Sequence, residues 1–229
     1  MTRQPFDCPF VFAVGLNTHP EEAAPAIEDF NRFYDTVHLG EVLAGNPGFV
    51  CAARYVLADP DPRGDLGPRW LAVYGVADEA AAQAFADRDA GARPAYSQGP
   101  PAWARAVPVW RMLWRRGESV GGSTAAPGRV ALIGMDPAAD ASEDEVADFD
   151  AFYGGTHLTE ILSGFGYTRG TCYELWQEFR HPAPGCPRHC AVYEADVPPP
   201  VPVSAALSPG PRAWEEREVR WRLKYDWIA

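Results

Sequence analysis

Two stretches of the chain are near copies: "FYDTVHLGEVL" from Phe33 to Leu43 and "FYGGTHLTEIL" from Phe152 to Leu162. Gly15 and Gly134, Phe30 and Phe149, Tyr34 and Tyr153, His38 and His157, and Glu41 and Glu160 each stand 119 positions apart. The separation is still 119 at Tyr74 and Tyr193, and it falls to 111 at Trp103 and Trp214 and at Trp110 and Trp221. Eight residues are therefore missing from the second half between Tyr193 and Trp214. A register kept over this length predicts a tandem duplication. The first repeat is assigned to 1–118, a linker to 119–128 within the Gly-, Ser- and Pro-rich "ESVGGSTAAPG", and the second repeat to 129–229.

Each repeat reads as strand, helix, strand, strand, helix, strand. "FVFAVGLN" and "VALIGMD" are short apolar runs suited to buried strands. Ile27, Phe30, Phe33, Tyr34 and Val37 recur at helical spacing, and Gly45 and Pro47 supply the stop. "FVCAARYVL", "RWLAVYGV" and "VPVWRMLWRR" read as strands, and "DEAAAQAFADRDA" as a helix with Asp78 at its N-cap. The second repeat breaks the pattern where that helix should lie, because Pro198, Pro199, Pro200 and Pro202 oppose a helix interior. There the helix is expected to be shortened or missing. This order of elements is the ferredoxin-like pattern. The fold class expected is α+β, with two antiparallel sheets packed face to face as a barrel within one chain, either as a monomer or as a homodimer.

Composition removes several functions. A formal charge of −11 argues against nucleic acid or an anionic membrane as partner. No apolar run approaches the roughly 20 residues that span a bilayer, and "MTRQPFDCPF" has no signal-peptide pattern. Five cysteines without an export signal predict reduced thiols and a cytoplasmic protein. Neither a Gly-rich phosphate loop nor a Gly-x-Ser-x-Gly elbow is present.

A strand followed by an amphipathic helix ending in "FYDTVHLGEVLAGNPGFVCAARY" resembles the dimeric α+β barrel superfamily, and within it the EthD-like group. The second copy departs from that pattern, reading "GFGYTRGTCY" without the proline. The resemblance implies the barrel fold. It leaves the reaction open among polyketide cyclases, cofactor-free monooxygenases, isomerases, dehydratases and haem enzymes.

On a continuous helix Tyr34, His38 and Glu41 share one face, as do Tyr153, His157 and Glu160. Gly154 and Gly155 instead suggest a break, with Thr36 or Thr156 capping a new short helix and the imidazole held at a corner. Acid–base catalysis by either histidine, oriented by its glutamate and assisted by Tyr34 or Tyr153, is one reading. Capping of backbone groups by a duplicated scaffold histidine is the other. Arg54, Tyr55, Tyr74 and Trp103, with Tyr173, Tyr193 and Trp214, are expected to line a barrel interior able to hold a hydrophobic aromatic ligand. The hairpin "HPAPGCPRHC" offers His181, Cys186, His189 and Cys190, but adjacent His189 and Cys190 face opposite ways in a strand, so no metal is expected. The function expected from these residues is a cofactor-independent cyclase, isomerase, dehydratase or lyase. A non-catalytic binding protein and a haem-dependent or cofactor-free monooxygenase are the alternatives.

Overall fold

The computed structural model describes residues 4–59, 67–89, 94–122, 127–196 and 207–229. The first half contains β1 (Phe10–Asn17), α1 (Ala24–Phe33), α2 (Leu39–Gly45), β2 (Phe49–Asp59), β3 (Trp70–Val76), α3 (Glu79–Asp89), α4 (Pro101–Ala104) and β4 (Val107–Gly121). The second contains β5 (Arg129–Asp136), α5 (Glu143–Ala151), α6 (Leu158–Phe165), β6 (Arg169–Arg180), β7 (His189–Ala195), α7 (Arg212–Glu215) and β8 (Glu218–Trp227). The proline-rich stretch expected to shorten the last long helix, 197–206, lies outside the described residues, as does 123–126 of the expected linker. β4 itself continues to Gly121.

The eight strands close into an antiparallel barrel in the order β1-β3-β2-β8-β5-β7-β6-β4. Each half supplies a four-stranded ferredoxin-like sheet. Two seams join them: Tyr55–Asp59 against Lys224–Trp227, and Arg111–Gly121 against Arg169–Arg180. Strand alternation sorts the side chains into two layers. Val11 and Ala13, Leu71 and Val73, Val130 and Leu132, and Cys190 and Val192 point into the barrel. Phe10, Phe12, Trp70 and Tyr74 point outward beneath α1, α2 and α3, and Ala131, Ala191 and Tyr193 do so beneath α5 and α6.

The interior is filled rather than hollow. Trp110 and Trp221 meet there with ring centroids 5.1 Å apart. Each lies opposite a strand glycine, Gly15 and Gly134; a Cβ on Gly134 would strike the Trp221 indole, and one on Gly15 would strike the Pro68 ring. The N-terminal turn Pro5–Asp7 plugs one end, where Phe6 is buried and its carbonyl accepts a hydrogen bond from Tyr173 Oη at 3.1 Å. Arg169 is sealed there between Glu194 and Asp7, and Gln4 Nε2 donates to Glu194 at 3.1 Å.

Helix starts follow their local chemistry. Ser142 and Glu145 form a reciprocal capping box on α5, and Asp78 Oδ1 accepts from Ala81 N at 2.8 Å at the start of α3. Asn46 Nδ2 donates to Val42 O at 2.6 Å where α2 ends.

Candidate functional site

The expected break before each histidine does not occur. Between α1 and α2 the chain stays helical through one wide π-turn, Tyr34–His38, and Phe152–His157 does the same before α6. A π-turn accommodates an extra residue and rotates the next helical turn about the axis, so the corner forms without a cap. Thr36 Oγ1 donates to Arg32 O at 2.7 Å, a bond within the helix rather than an N-cap.

This turn lays His38 against the outer face of the sheet, at the wall of a cavity of about 380 Å³. Phe12 and Tyr74 of the sheet, Tyr34 of the π-turn, Phe85 of α3, and Tyr96 and Trp103 from the segment before β4 complete the aromatic walls. The His38 ring lies 4.4 Å from Trp103, 4.9 Å from Tyr34 and 5.0 Å from Tyr96, centroid to centroid. The residue is 7 % exposed. Burial disfavours the imidazolium and lowers its pKa from 6.5 to about 4, so His38 is neutral at pH 7. Its Nδ1 is buried without a hydrogen bond and lies 3.8 Å from Glu41 Oε2, an electrostatic contact only.

Glu41 is primarily a tether. Its carboxylate accepts from Ser97 N at 3.1 Å and from Ser97 Oγ, which pins the Tyr96–Trp103 segment over the cavity. Those bonds hold its pKa below the usual carboxylate value. Arg111, on the floor, spreads its guanidinium over Phe12 and Phe179.

The second half repeats the corner with fewer rings. His157 is 4.4 Å from Trp214 and 5.9 Å from Tyr153, and burial again lowers its pKa to about 4. Ser208 N donates to Glu160 Oε1 at 3.1 Å, as Ser97 does to Glu41. Leu207 stands where the first half has Tyr96, and the cavity here is about 270 Å³. Arg217 crosses the Trp214 ring at 3.9 Å, and Arg222 takes the place of Arg111.

The aromatic and basic side chains expected inside the barrel divide among four places. Tyr55 and Tyr173 are in the interior core, away from both histidines. Tyr74 and Trp103 line the His38 cavity, and Tyr193 and Trp214 the His157 cavity. Arg54 lines neither: it is fully buried behind Tyr34, its Nη2 donating to Asn31 Oδ1 at 2.8 Å and its Nη1 paired with Asp35. Tyr34 Oη meets Tyr74 Oη at 3.4 Å, whereas Tyr153 Oη is buried without a partner. The pockets therefore lie between sheet and helices, because the interior is packed solid by inward-facing side chains. Ser97 and Ser208, equivalent at the 111 offset, and Tyr96 were missed; the offset alone would have found the serines.

The four hairpin groups diverge. Cys190 points into the barrel, Cys186 Sγ sits 3.0 Å from Met112 Sδ, His181 stacks on Trp110 and His189 faces α5. Among the described residues no three potential ligands converge on a metal position, and no helix is long and apolar enough to cross a membrane.

Solved structures of similar shape bear on this geometry. A provisionally assigned chlorite dismutase superposes with a TM-score of 0.53 at 11 % identity, covering 96 % of this chain and 94 % of its own. A chlorite dismutase variant from Candidatus Nitrospira defluvii, in complex with cyanide, gives 0.51 at 7 % identity over 96 % and 90 %. A second variant from that organism gives 0.51 at 8 % over 96 % and 91 %. The fold is that of the chlorite dismutases. No protein-family model matches the chain, and no curated protein matches it. The likeness corrects the expectation of a cofactor-independent cyclase, isomerase, dehydratase or lyase. The structures that share the barrel from end to end belong with the haem-dependent alternative instead.

Proposed function

We propose that the protein binds haem in the His38 cavity, where His38 would be the nitrogen donor that holds it. The observation that carries this reading is a buried, neutral imidazole at the wall of an aromatic cavity of about 380 Å³. Haem needs a deprotonated ring nitrogen, apolar walls for the macrocycle and a cation near its carboxylates. His38 supplies the first. Its Nδ1 lies on the Glu41 side, so Nε2 is the nitrogen left for the iron, and the carboxylate favours the matching tautomer. Phe12, Phe85 and Trp103 supply the walls, and Arg111 supplies positive charge.

Bound haem would contribute an iron able to bind and activate a small oxygen-containing ligand. The chain's part is to hold His38 between Trp103, Tyr34 and Tyr96 and to keep water from it. It also presents the Tyr34–Tyr74 hydroxyl pair as a donor at the cavity wall. The His157 cavity is smaller and has Arg217 beside its histidine, which ranks it second.

Titration of the full chain with hemin tests the assignment. A saturating Soret band at one equivalent is expected, with its low-spin or high-spin signature altered in H38A and retained in H157A. No saturable band, or identical spectra from both variants, overturns it. The reading also takes the halves as tandem EthD-like copies with boundaries 1–118, 119–128 and 129–229, in a cytoplasmic protein. The tandem arrangement is supported by the shared Gly–Trp strand pairs and the shared Ser–Glu tethers.

A further inference from the structure

The strand ladders place Arg54 and Cys172 at equivalent positions. Ala52 lies opposite Tyr74 and Arg54 opposite Ala72 in the first half; Gly170 lies opposite Tyr193 and Cys172 opposite Ala191 in the second. The surroundings of Arg54 form a guanidinium cradle. Its Cζ is 4.1 Å from the centre of the Tyr34 ring, Asn31 accepts through Oδ1 at 2.8 Å and through its carbonyl at 3.4 Å, and Asp35 supplies the charge. Trp70 closes the side at 5.9 Å.

The second half keeps a cradle and omits the arginine. Tyr153 replaces Tyr34, Asp150 replaces Asn31 and His189 replaces Trp70, while the short Cys172 leaves a cavity of about 260 Å³. Gly154 stands where Asp35 stood. A Cβ on Gly154 would meet Glu118 Cβ at 2.8 Å, so the carboxylate now reaches this cavity from β4 instead. Polar atoms in the wall are left without partners. Tyr153 Oη is buried and unbonded, and both ring nitrogens of His189 are buried without a hydrogen bond. His189 Nε2 does approach Asp150 Oδ1 at 3.0 Å, off the bonding direction. Of the other charges, Glu174 is held by Arg115 at 2.6 Å and Arg188 at 3.2 Å. Among the lining residues that leaves the two carboxylates of Asp150 and Glu118 against the one guanidinium of Arg116, whose Nε is also buried without a hydrogen bond.

We propose that this cavity is a binding site for a small alkylguanidinium ligand, which occupies the place that Arg54 fills with its own side chain in the first half. The planar cation would lie on the Tyr153 ring face with Asp150 and Glu118 as its acceptors. The site is separate from the two histidine cavities, so it stands whether or not haem binds.

Ethylguanidinium and agmatine serve as probes for the full chain, by calorimetry and saturation-transfer NMR. Saturable binding is expected for the wild type. Cys172→Arg should abolish it by filling the cradle from within. Asp150→Asn, which restores the first-half residue, should weaken it about tenfold or more through loss of a charge-assisted pair. Absence of saturable binding to folded wild-type protein overturns the proposal. So does binding that neither substitution weakens, or preferential binding of acetate, which would mark Arg116 as the operative group. If Cys172→Arg fails to fold, Asp150→Asn decides alone.

Discussion

Arg54→Met isolates the buried cation of the first half. The guanidinium is 0 % exposed and ion-paired to Asp35, whose side chain is 29 % exposed. Removing one member of a buried pair costs roughly 3–5 kcal/mol, chiefly because the other is left without its partner. Asp35 can recover water through its exposed part, which places this case near the lower end, about 3 kcal/mol. Loss of the contact on the Tyr34 face adds about 1 kcal/mol. Methionine fills most of the stem volume, so little is added for a void. The expected total is about 3–4 kcal/mol, read as a lower urea midpoint at unchanged slope. In the double variant with Asp35→Asn much of the loss should return, since the orphaned carboxylate is gone. A loss below about 1 kcal/mol for Arg54→Met, or simple additivity of the two changes, would refute the argument that the pair acts as a unit.

Acid should unfold the protein earlier than its surface charges alone would predict. Both histidines have folded pKa values near 4 against an ordinary 6.5, so the unfolded chain takes up protons that the folded chain refuses. Their contribution is complete above pH 6.5 and is lost as pH falls towards 4, about 1–2 kcal/mol for each after allowance for water in the cavities. Midpoints measured across that window for the wild type and for His38→Gln/His157→Gln should converge at low pH. Gly134→Ala should cost about 1–3 kcal/mol, because its Cβ would collide with the Trp221 indole; thermal melts would show it. Glu41→Ala should free the segment beneath it, raising amide exchange at Ser97 while Ser208 is unaffected.

Periodicity and the constant offset were enough to place the described strands, the two-sheet plan and the histidine corners. They are local properties, written in the spacing of residues such as Phe10, Phe12 and Tyr74. Which layer a side chain joins is harder to read, because an apolar strand packed on both faces has no polar side to mark its orientation. Tyr55 and Tyr74 look equivalent in sequence, yet one is in the interior and the other beneath a helix. The π-turn was equally hidden: paired glycines signal a break, but here the helix widens and continues. Glu41 and Glu160 were read as partners of their histidines, three residues away, when their hydrogen bonds go to serines half a repeat downstream. Haem stood among the alternatives that the superfamily resemblance implied, since nothing local in a His-x-x-Glu segment separates a metal donor from a proton carrier.

The two seams that close the barrel have a consequence for variation. When a barrel is assembled from two identical subunits, every substitution is made in both sheets at once. Neither side can then hold an arginine where the other holds a thiol. Here both sheets belong to one covalent chain, so Arg54 and Cys172 occupy matching places without constraining each other. One half can stay filled and serve stability while its counterpart opens. A single-chain barrel is free to be lopsided, and this one is.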